Sequence, residues 1–154
     1  MDSPCAIRLA TPNELDAIKA IADRERHALG FVHRGSLARA VARDELFVAF
    51  QGTGVVGFCQ FYRRRDGVVT IYHLAVMPEA RNQRIGTSLI THVLRDAKKQ
   101  GMTTIRLKCP SGLLANAFYA RTGFECVGSE KGTRRILHIW ERRLAGRGED
   151  VLDE

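Results

Sequence analysis

The feature that most constrains the fold is a strand, a polar loop, a long amphipathic helix and a second strand in succession. The first strand ends at Met77-Pro78, residues 103–108 read as the second, and Lys98, Lys99 and Gly101 close the helix in the expected order. The inward-facing positions of the helix are Ile85, Leu89, Val93, Leu94 and Ala97. A helix that joins neighbouring parallel strands makes a right-handed crossover. The segment therefore predicts an α/β fold, with a mixed β-sheet and helices on both faces.

The segments on either side extend the predicted order of elements to βααβββαβαββ. Thr11, Pro12 and Glu14 combine an N-cap, a proline at the first helical position and a capping box, which predicts a helix from there to near Gly30. Apolar periodicity and turn residues predict the other elements. They are a strand at 7–9, a short helix at 36–43, an antiparallel meander at 46–50, 55–62 and 68–76, a helix at 113–122, and a hairpin of 124–128 and 135–142.

Length and composition indicate a single globular domain. The chain has 154 residues, of which we assign 1–144 to the domain and 145–154 to an acidic tail that we expect to be disordered. With 45% hydrophobic and 27% charged residues, the composition excludes a disordered chain. No apolar run approaches the roughly 20 residues of a spanning helix, and the first residues lack the pattern of a secretory signal. We therefore expect a cytoplasmic protein that makes no contact with a membrane.

The four cysteines argue against a metal site. Cys5, Cys59, Cys109 and Cys126 form no Cys-x-x-Cys pair, and no paired histidines stand near them. Cys59 and Cys109 fall in apolar strand segments, where a buried and unreactive thiol is the usual finding. We expect reduced cysteines and no bound metal.

The charge is positive and unevenly distributed. The whole chain carries +7 and residues 145–154 carry −3, so residues 1–144 carry +10. Such a balance attracts polyanions, either nucleic acid or a phosphorylated small molecule. Two basic runs, one at 63–65 and one formed by Lys131, Arg134 and Arg135, lack the interleaved aromatic residues that stack on bases. This pattern argues against direct recognition of nucleic acid.

The polar loop before the central helix is a candidate anion site. The free amides of a helix N-terminus and the positive end of its dipole attract phosphate groups, and Arg81 and Arg84 add positive charge. A solvated loop with incidental arginines is the competing interpretation. The stretch from Arg81 to Gly86 reads Arg-Asn-Gln-Arg-Ile-Gly, and a second motif, Tyr119-x-x-x-Gly123-Phe124, follows the next strand.

With these two motifs in this order, the sequence resembles the GNAT (Gcn5-related) N-acetyltransferases over about residues 6–143. The resemblance implies a direct transfer of the acetyl group from acetyl-coenzyme A to a primary amine, in a ternary complex. In the family, the first motif has a glycine where Arg84 stands, and many members have another at Asn82, whereas Gly86 matches. An arginine at the first turn can point away from the ligand or add a phosphate contact.

The resemblance also assigns site residues. Backbone amides of the loop would hold the coenzyme pyrophosphate, namely those of Arg81, Asn82, Gln83, Arg84, Ile85, Gly86 and Thr87. Leu74, Ala75 and Val76 would orient the pantetheine arm and the thioester, on a strand that carries a bulge and splays from the strand at 103–108. Tyr119 would protonate the departing thiolate, since phenols have pKa values near 10. Asn116 would bond the pantetheine amides, although core packing of Tyr119 and a simple helix-start role for Asn116 are alternatives.

The general base is not defined by either motif. An incoming ammonium must lose a proton before its nitrogen attacks, and His73, one residue before Leu74, is the best-placed titratable side chain. A packed strand histidine is an equally plausible interpretation. Glu79, Glu45 and His138 are weaker candidates.

Two other functions and the acceptor stay open on the sequence alone. The chain can be a non-catalytic acyl-coenzyme A-binding sensor, or a basic nucleic-acid-associated acetyltransferase that acts on aminoacyl-tRNA. The acceptor site is expected between residues 18–43 and the final hairpin, which show no diagnostic pocket. A homodimer is possible, as in many members of the family.

Overall fold

The computed structural model describes residues 5–144, so the predicted acidic tail at 145–154 lies outside the described residues. The described residues form seven strands, five α-helices and two short 3-10 turns at Pro12–Glu14 and Pro78–Ala80. The strands are β1 (Cys5–Leu9), β2 (Leu46–Gln51), β3 (Gly54–Arg63), β4 (Val68–Val76), β5 (Thr104–Pro110), β6 (Glu125–Lys131) and β7 (Ile136–Arg143). The helices are α1 (Leu15–Arg24), α2 (Arg26–Leu29), α3 (Arg34–Ala42), α4 (Ile85–Lys99) and α5 (Ala115–Arg121).

The strands form one mixed sheet in the order β1-β2-β3-β4-β5-β7-β6, flanked by helices. β4 and β5 are parallel, from Val68 opposite Thr104 to Ile71 opposite Leu107, as the crossover pattern predicts. The pairs β1–β2, β2–β3, β5–β7 and β6–β7 are antiparallel. The predicted α/β class and mixed sheet are confirmed.

The start of the first helical region follows the sequence signal closely. The Thr11 hydroxyl accepts a hydrogen bond from the Asn13 amide at 3.3 Å, and the Glu14 carboxylate accepts one from the Thr11 amide at 2.7 Å. Arg8 adds an ion pair to Glu14 at 2.9 Å. This guanidinium, together with hydrogen bonds from Thr11, holds the pKa of the Glu14 carboxyl at about 2.

The helix predicted from Thr11 to near Gly30 is wrong in its continuity. α1 ends at Arg24, Glu25 adopts φ −99° and ψ 23°, and α2 then runs for one turn to Leu29. The carboxylate of Glu25 is turned to Arg81, 56 residues further along the chain. Apolar periodicity reflects neighbours within the helix and cannot indicate a partner 56 residues away.

The described chain divides into two compact units, residues 5–62 with 72–93 and residues 63–71 with 94–144. In the first, one apolar core joins the helices to the sheet, and its largest side chains are almost fully buried: Ile18, Leu37, Leu46, Val48 and Phe58. In the second, the buried apolar residues include Val69, Leu94, Ile105, Leu107, Phe124 and Trp140. Burial of this apolar area is the main stabilising contribution in each unit.

Candidate functional site

The predicted anion loop connects β4 to α4. A 3-10 turn at Pro78–Ala80 leads into it, and the first hydrogen bond of the helix runs from the Ser88 amide to the Arg84 carbonyl at 3.0 Å. The amides of Ile85, Gly86 and Thr87 precede that bond, so the helix itself offers them no carbonyl. Because the helix dipole is positive at this end, the loop is suited to a phosphate group.

Two non-glycine residues of the loop have left-handed backbone geometry. Asn82 has φ +64° and Arg84 has φ +62°. Asparagine tolerates this region, whereas for arginine the contact between Cβ and the backbone costs about 1–2 kcal/mol. A glycine at position 84, as in the family motif, would adopt this left-handed conformation without strain. In this chain an arginine adopts it.

Two ion pairs connect the loop to the end of α1. Arg81 reaches the Glu25 carboxylate at 2.5 Å, and its Nε donates to the Val76 carbonyl at 3.1 Å. Arg24 pairs with Glu79 at 3.1 Å. The Glu25 side chain is only 9% exposed, whereas those of Arg24 and Glu79 are 50% and 61% exposed. The guanidinium of Arg81 is thus engaged by protein groups, and its backbone amide donates to the Pro78 carbonyl at 3.3 Å, so neither group is available for the predicted coenzyme contact.

The end of β4 that carries Leu74, Ala75 and Val76 is approached closely by β3. A Cβ built on Gly57 would lie 2.8 Å from the Ala75 carbonyl oxygen and 3.3 Å from a methyl group of Val76. The Met77 amide donates to the Val56 carbonyl at 2.8 Å, beside this contact. Only glycine permits this spacing, so Gly57 is a residue of the site that the sequence motifs did not identify.

His73, the proposed base, is joined to a chain of polar side chains, of which Gln60 is buried. Its Nδ1 lies 2.8 Å from the Gln60 Oε1, and the Gln60 Nε2 donates to the Ser36 hydroxyl at 2.9 Å. His73 is partly buried, and loss of solvent lowers its pKa below the usual 6.5. A neutral imidazole at pH 7 is the form that a base requires. Neither Gln60 nor Ser36 was predicted, although Gln60 is the one polar interruption in the apolar run from Val55 to Tyr62.

Tyr119 lies in the other unit, on α5, and is buried. Its ring makes edge-on contacts with the rings of Phe118 and Phe124, with centroids 5.3 Å and 5.8 Å away. Gly123, in the same motif, has φ +91°, and a Cβ there would meet the Arg142 guanidinium at 2.8 Å. The Tyr-x-x-x-Gly-Phe motif thus fixes the turn after α5 as well as the tyrosine.

Asn116 lies one residue into α5, and its side chain is used within the protein. Its Nδ2 donates to the carbonyls of Pro110 and Leu113 at 2.9 Å and 3.0 Å, while its Oδ1 accepts from the Trp140 indole at 2.9 Å. Both amide hydrogens are therefore occupied. The side chain connects the start of α5 to β5 and β7, and this arrangement favours the helix-start interpretation of Asn116.

The weaker base candidates differ in their surroundings. The Glu79 carboxylate has a lowered pKa because its own backbone amide and Arg24 stabilise the charge, which makes it a poor proton acceptor. Glu45 is buried. His138 lies on β7 opposite Cys109 and Ser129, in the unit that carries Tyr119.

The basic run at 63–65 is partly neutralised. Arg63 pairs with Asp96 at 2.9 Å, and Arg64 pairs with Asp66 at 2.8 Å. The second run lies at the exposed turn between β6 and β7, where the Gly132 amide donates to the Arg135 carbonyl at 2.8 Å. Paired arginines and an ordinary hairpin turn give little support to a nucleic-acid surface.

Residues 5–144 offer neither a metal cluster nor a membrane-spanning helix. Among them, no group of three or more His, Cys, Asp or Glu side chains is arranged to hold a metal ion. Burial raises the pKa of Cys109 to about 11 and raises that of Cys59 further, so both thiols are protonated at neutral pH. No helix in the described part of the chain is long and apolar enough to cross a bilayer.

Comparison with known proteins identifies both a family and a fold. A sequence model of the acetyltransferase (GNAT) family matches residues 15–124. Among solved structures, the ribosomal-protein-S18-alanine N-acetyltransferase of Escherichia coli is 20% identical with a TM-score of 0.80, and the match covers 96% of this chain and 99% of that one. The acetyltransferase yncA of Salmonella typhimurium, described as putative and solved with acetyl-CoA, is 17% identical with a TM-score of 0.79, over 93% and 95% of the two chains.

A third structure is a longer protein. N-acetylglutamate synthase of Neisseria gonorrhoeae, solved with coenzyme A and N-acetyl-glutamate, is 19% identical with a TM-score of 0.80 over 94% of this chain. This chain spans only 36% of that enzyme. No curated protein sequence matches. These likenesses concern the fold, because every identity is below 25%.

Proposed function

Because the chain belongs to the acetyltransferase (GNAT) family, we propose that it transfers an acetyl group from acetyl-coenzyme A to a primary amine, directly and without a covalent enzyme intermediate. The observation that carries the proposal is the β4–α4 loop. It keeps the left-handed backbone at Asn82 and Arg84 and leaves the amides of three following residues unpaired within the helix. This is an anion cradle at the position of the family motif.

The loop and the end of β4 supply the coenzyme contacts in this proposal. The amides of residues 82–87 hold the pyrophosphate, which fits this donor set because a phosphate group is bound by several N–H groups. The backbone at Leu74 to Val76 orients the pantetheine arm. One amide there points at the thioester carbonyl, where negative charge develops in the transition state.

The proton transfers are assigned to two side chains. His73 accepts a proton from the acceptor ammonium, so the neutral nitrogen can attack the acetyl carbon. The new C–N bond forms as the C–S bond breaks, and the electron pair of that bond leaves with sulfur. Tyr119 donates its phenolic proton to the thiolate, and solvent carries the second proton that the nitrogen loses, as the amide forms, back to the phenolate. The acetyl donor supplies the activated thioester and the protein supplies position, charge and protons.

The test is calorimetric titration of acetyl-coenzyme A into the full chain, followed by an assay of thiol release against a panel of primary amines. Saturable binding that Gly86→Glu weakens, together with turnover of at least one amine, supports the proposal. Binding without turnover of any amine supports the sensor function. Absence of binding by folded protein contradicts both, and salt-dependent retention of RNA would then favour the nucleic-acid-associated function.

A further inference from the structure

Gln60 is a buried polar residue in the middle of an apolar strand. It is 3% exposed, between Cys59 at 0% and Phe61 at 1%. A buried amide that lacks hydrogen-bond partners destabilises the folded protein. A hydrophobic residue would satisfy the packing at this position without that requirement. The amide group of Gln60 therefore needs an explanation beyond core packing.

The partners of Gln60 provide the explanation. Ser36 on α3 accepts from the Nε2 of Gln60 at 2.9 Å, and the amide oxygen of Gln60 faces β4. That oxygen lies 2.8 Å from the Nδ1 of His73. A carbonyl oxygen only accepts hydrogen bonds, so the Nδ1 that faces it carries the proton. The lone pair of the imidazole is then on Nε2.

We propose that Gln60 is a positioning residue, which holds His73 as the Nδ1–H tautomer with its Nε2 ready to accept the acceptor's proton, and that Ser36 sets the orientation of the Gln60 amide. The proposal rests on the proposed function for the catalytic use of His73. The tautomer itself is a property of the folded protein and can be measured without substrate.

The amide group suits this role better than a carboxylate would. A carboxylate facing Nδ1 stabilises the imidazolium and raises the pKa of histidine, whereas a neutral amide oxygen orients the ring without adding charge. Burial of His73 acts in the same direction, because it disfavours the charged ring. The glutamine therefore combines fixed orientation with a neutral base.

The experiment is nitrogen-15 NMR of the His73 side chain in the full chain, above the pH at which the ring loses its proton. We expect the signal of a protonated Nδ1 in the wild type. Gln60→Met removes the oxygen that accepts from Nδ1. Ser36→Ala removes the hydroxyl that orients the Gln60 amide, at a partly exposed position of α3. Both variants are expected to shift the tautomer population towards Nε2–H, and Gln60→Glu, which retains an acceptor oxygen, should restore Nδ1–H.

Kinetics provide the second readout. Loss of orientation should lower kcat about tenfold, while KM for acetyl-coenzyme A changes less than about twofold, since a positioned base contributes at least this much. A dominant Nε2–H tautomer in the wild type overturns the proposal. So does an unchanged tautomer in both folded variants. If the protein acetylates no amine but the tautomer responds as expected, the positioning holds and only the catalytic role of His73 fails.

Discussion

The carboxylate of Glu25 lies 2.5 Å from the Nη2 of Arg81, and this contact joins the break between α1 and α2 to the first residue of the coenzyme loop. The same guanidinium donates to the carbonyl of Val76, at the end of β4. The loop that would hold the pyrophosphate and the strand that would hold the pantetheine arm are therefore both connected to one side chain.

Glu25→Ala should reduce both stability and coenzyme affinity. It removes the partner of Arg81, and a pair with one buried member contributes about 1–3 kcal/mol. We expect affinity for acetyl-coenzyme A to fall by about three- to tenfold, measured by calorimetry. Arg24→Ala is the matched control, because it removes the exposed pair with Glu79 and should leave the free energy of unfolding nearly unchanged. Equal losses of stability and of coenzyme affinity in the two variants would contradict the expected difference between the partly buried and the exposed ion pair.

Arg84→Gly should stabilise the protein relative to Arg84→Ala. Both remove the guanidinium, but only glycine relieves the contact between Cβ and the backbone at φ +62°. The expected difference in unfolding free energy, read from urea denaturation, is about 1 kcal/mol after the larger chain entropy of glycine is included. Should alanine prove as stable as glycine, the left-handed conformation at position 84 is not strained.

Gly57→Ala should destabilise the protein by about 1–3 kcal/mol, since its methyl group meets the Ala75 carbonyl at 2.8 Å. Acetyl-coenzyme A binding should weaken too, because the contact lies where the pantetheine arm is proposed to run. Gly54→Ala, on the same strand, is the control: its nearest atom is the Gln51 carbonyl at 3.6 Å, an ordinary contact. Thermal denaturation of the two variants provides the comparison, and a tolerant Gly57→Ala would show that β3 and β4 can move apart without cost.

Tyr119→Phe should lower kcat by about 10²-fold and leave acetyl-coenzyme A affinity nearly unchanged, since only the proton donor is lost. The buried ring and its contacts with Phe118 and Phe124 are retained. Tyr72→Phe, at a side chain that is 54% exposed, controls for the loss of a hydroxyl elsewhere. If the folded Tyr119→Phe variant keeps the wild-type kcat, water and not Tyr119 donates the proton to the thiolate.

The pH profile should show an acid limb below pH 6.5. Burial lowers the pKa of His73 from that value, so the ring is neutral above pH 6.5 and gains its proton only as the pH falls further. Between the folded-state pKa and 6.5 the unfolded chain binds more protons, so stability also rises with pH in this window. We expect His73→Gln to abolish both effects, as measured by kcat/KM and by denaturation across pH 5–7. A limb above pH 6.5 that survives this substitution belongs to another group.

Local signals predicted the fold well. The capping box of Thr11 and Glu14, and Gly101 at the end of α4 with φ +75°, are interactions between residues near in sequence, so they can be seen in the sequence itself. The coenzyme loop could be found because its chemistry depends on consecutive backbone amides. Its assignment to the pyrophosphate of coenzyme A nevertheless came from the family motif.

The residues that could not be predicted interact across long separations. Glu25 interrupts a helix for a partner 56 residues away, and Gln60 becomes meaningful only when Ser36 and His73 lie on either side of its amide. A single polar residue in an apolar strand marks such a position without identifying its partners. The same applies to the hydrogen bond between Asn116 and Trp140, which are 24 residues apart, because the helix-start context of Asn116 does not indicate it.

The side chains at Asn82 and Arg84 also affect the thermodynamics of ligand capture. Glycines would let the empty loop sample many conformations, each of which would have to be given up when phosphate groups arrive. Asparagine and arginine at φ +64° and +62° restrict the conformations of the empty loop. The folded protein therefore carries backbone strain at these positions, and the loop loses less conformational entropy when the coenzyme binds. Compared with a relative that has glycine at both positions, this chain should bind the coenzyme with a smaller entropic penalty for a similar set of contacts.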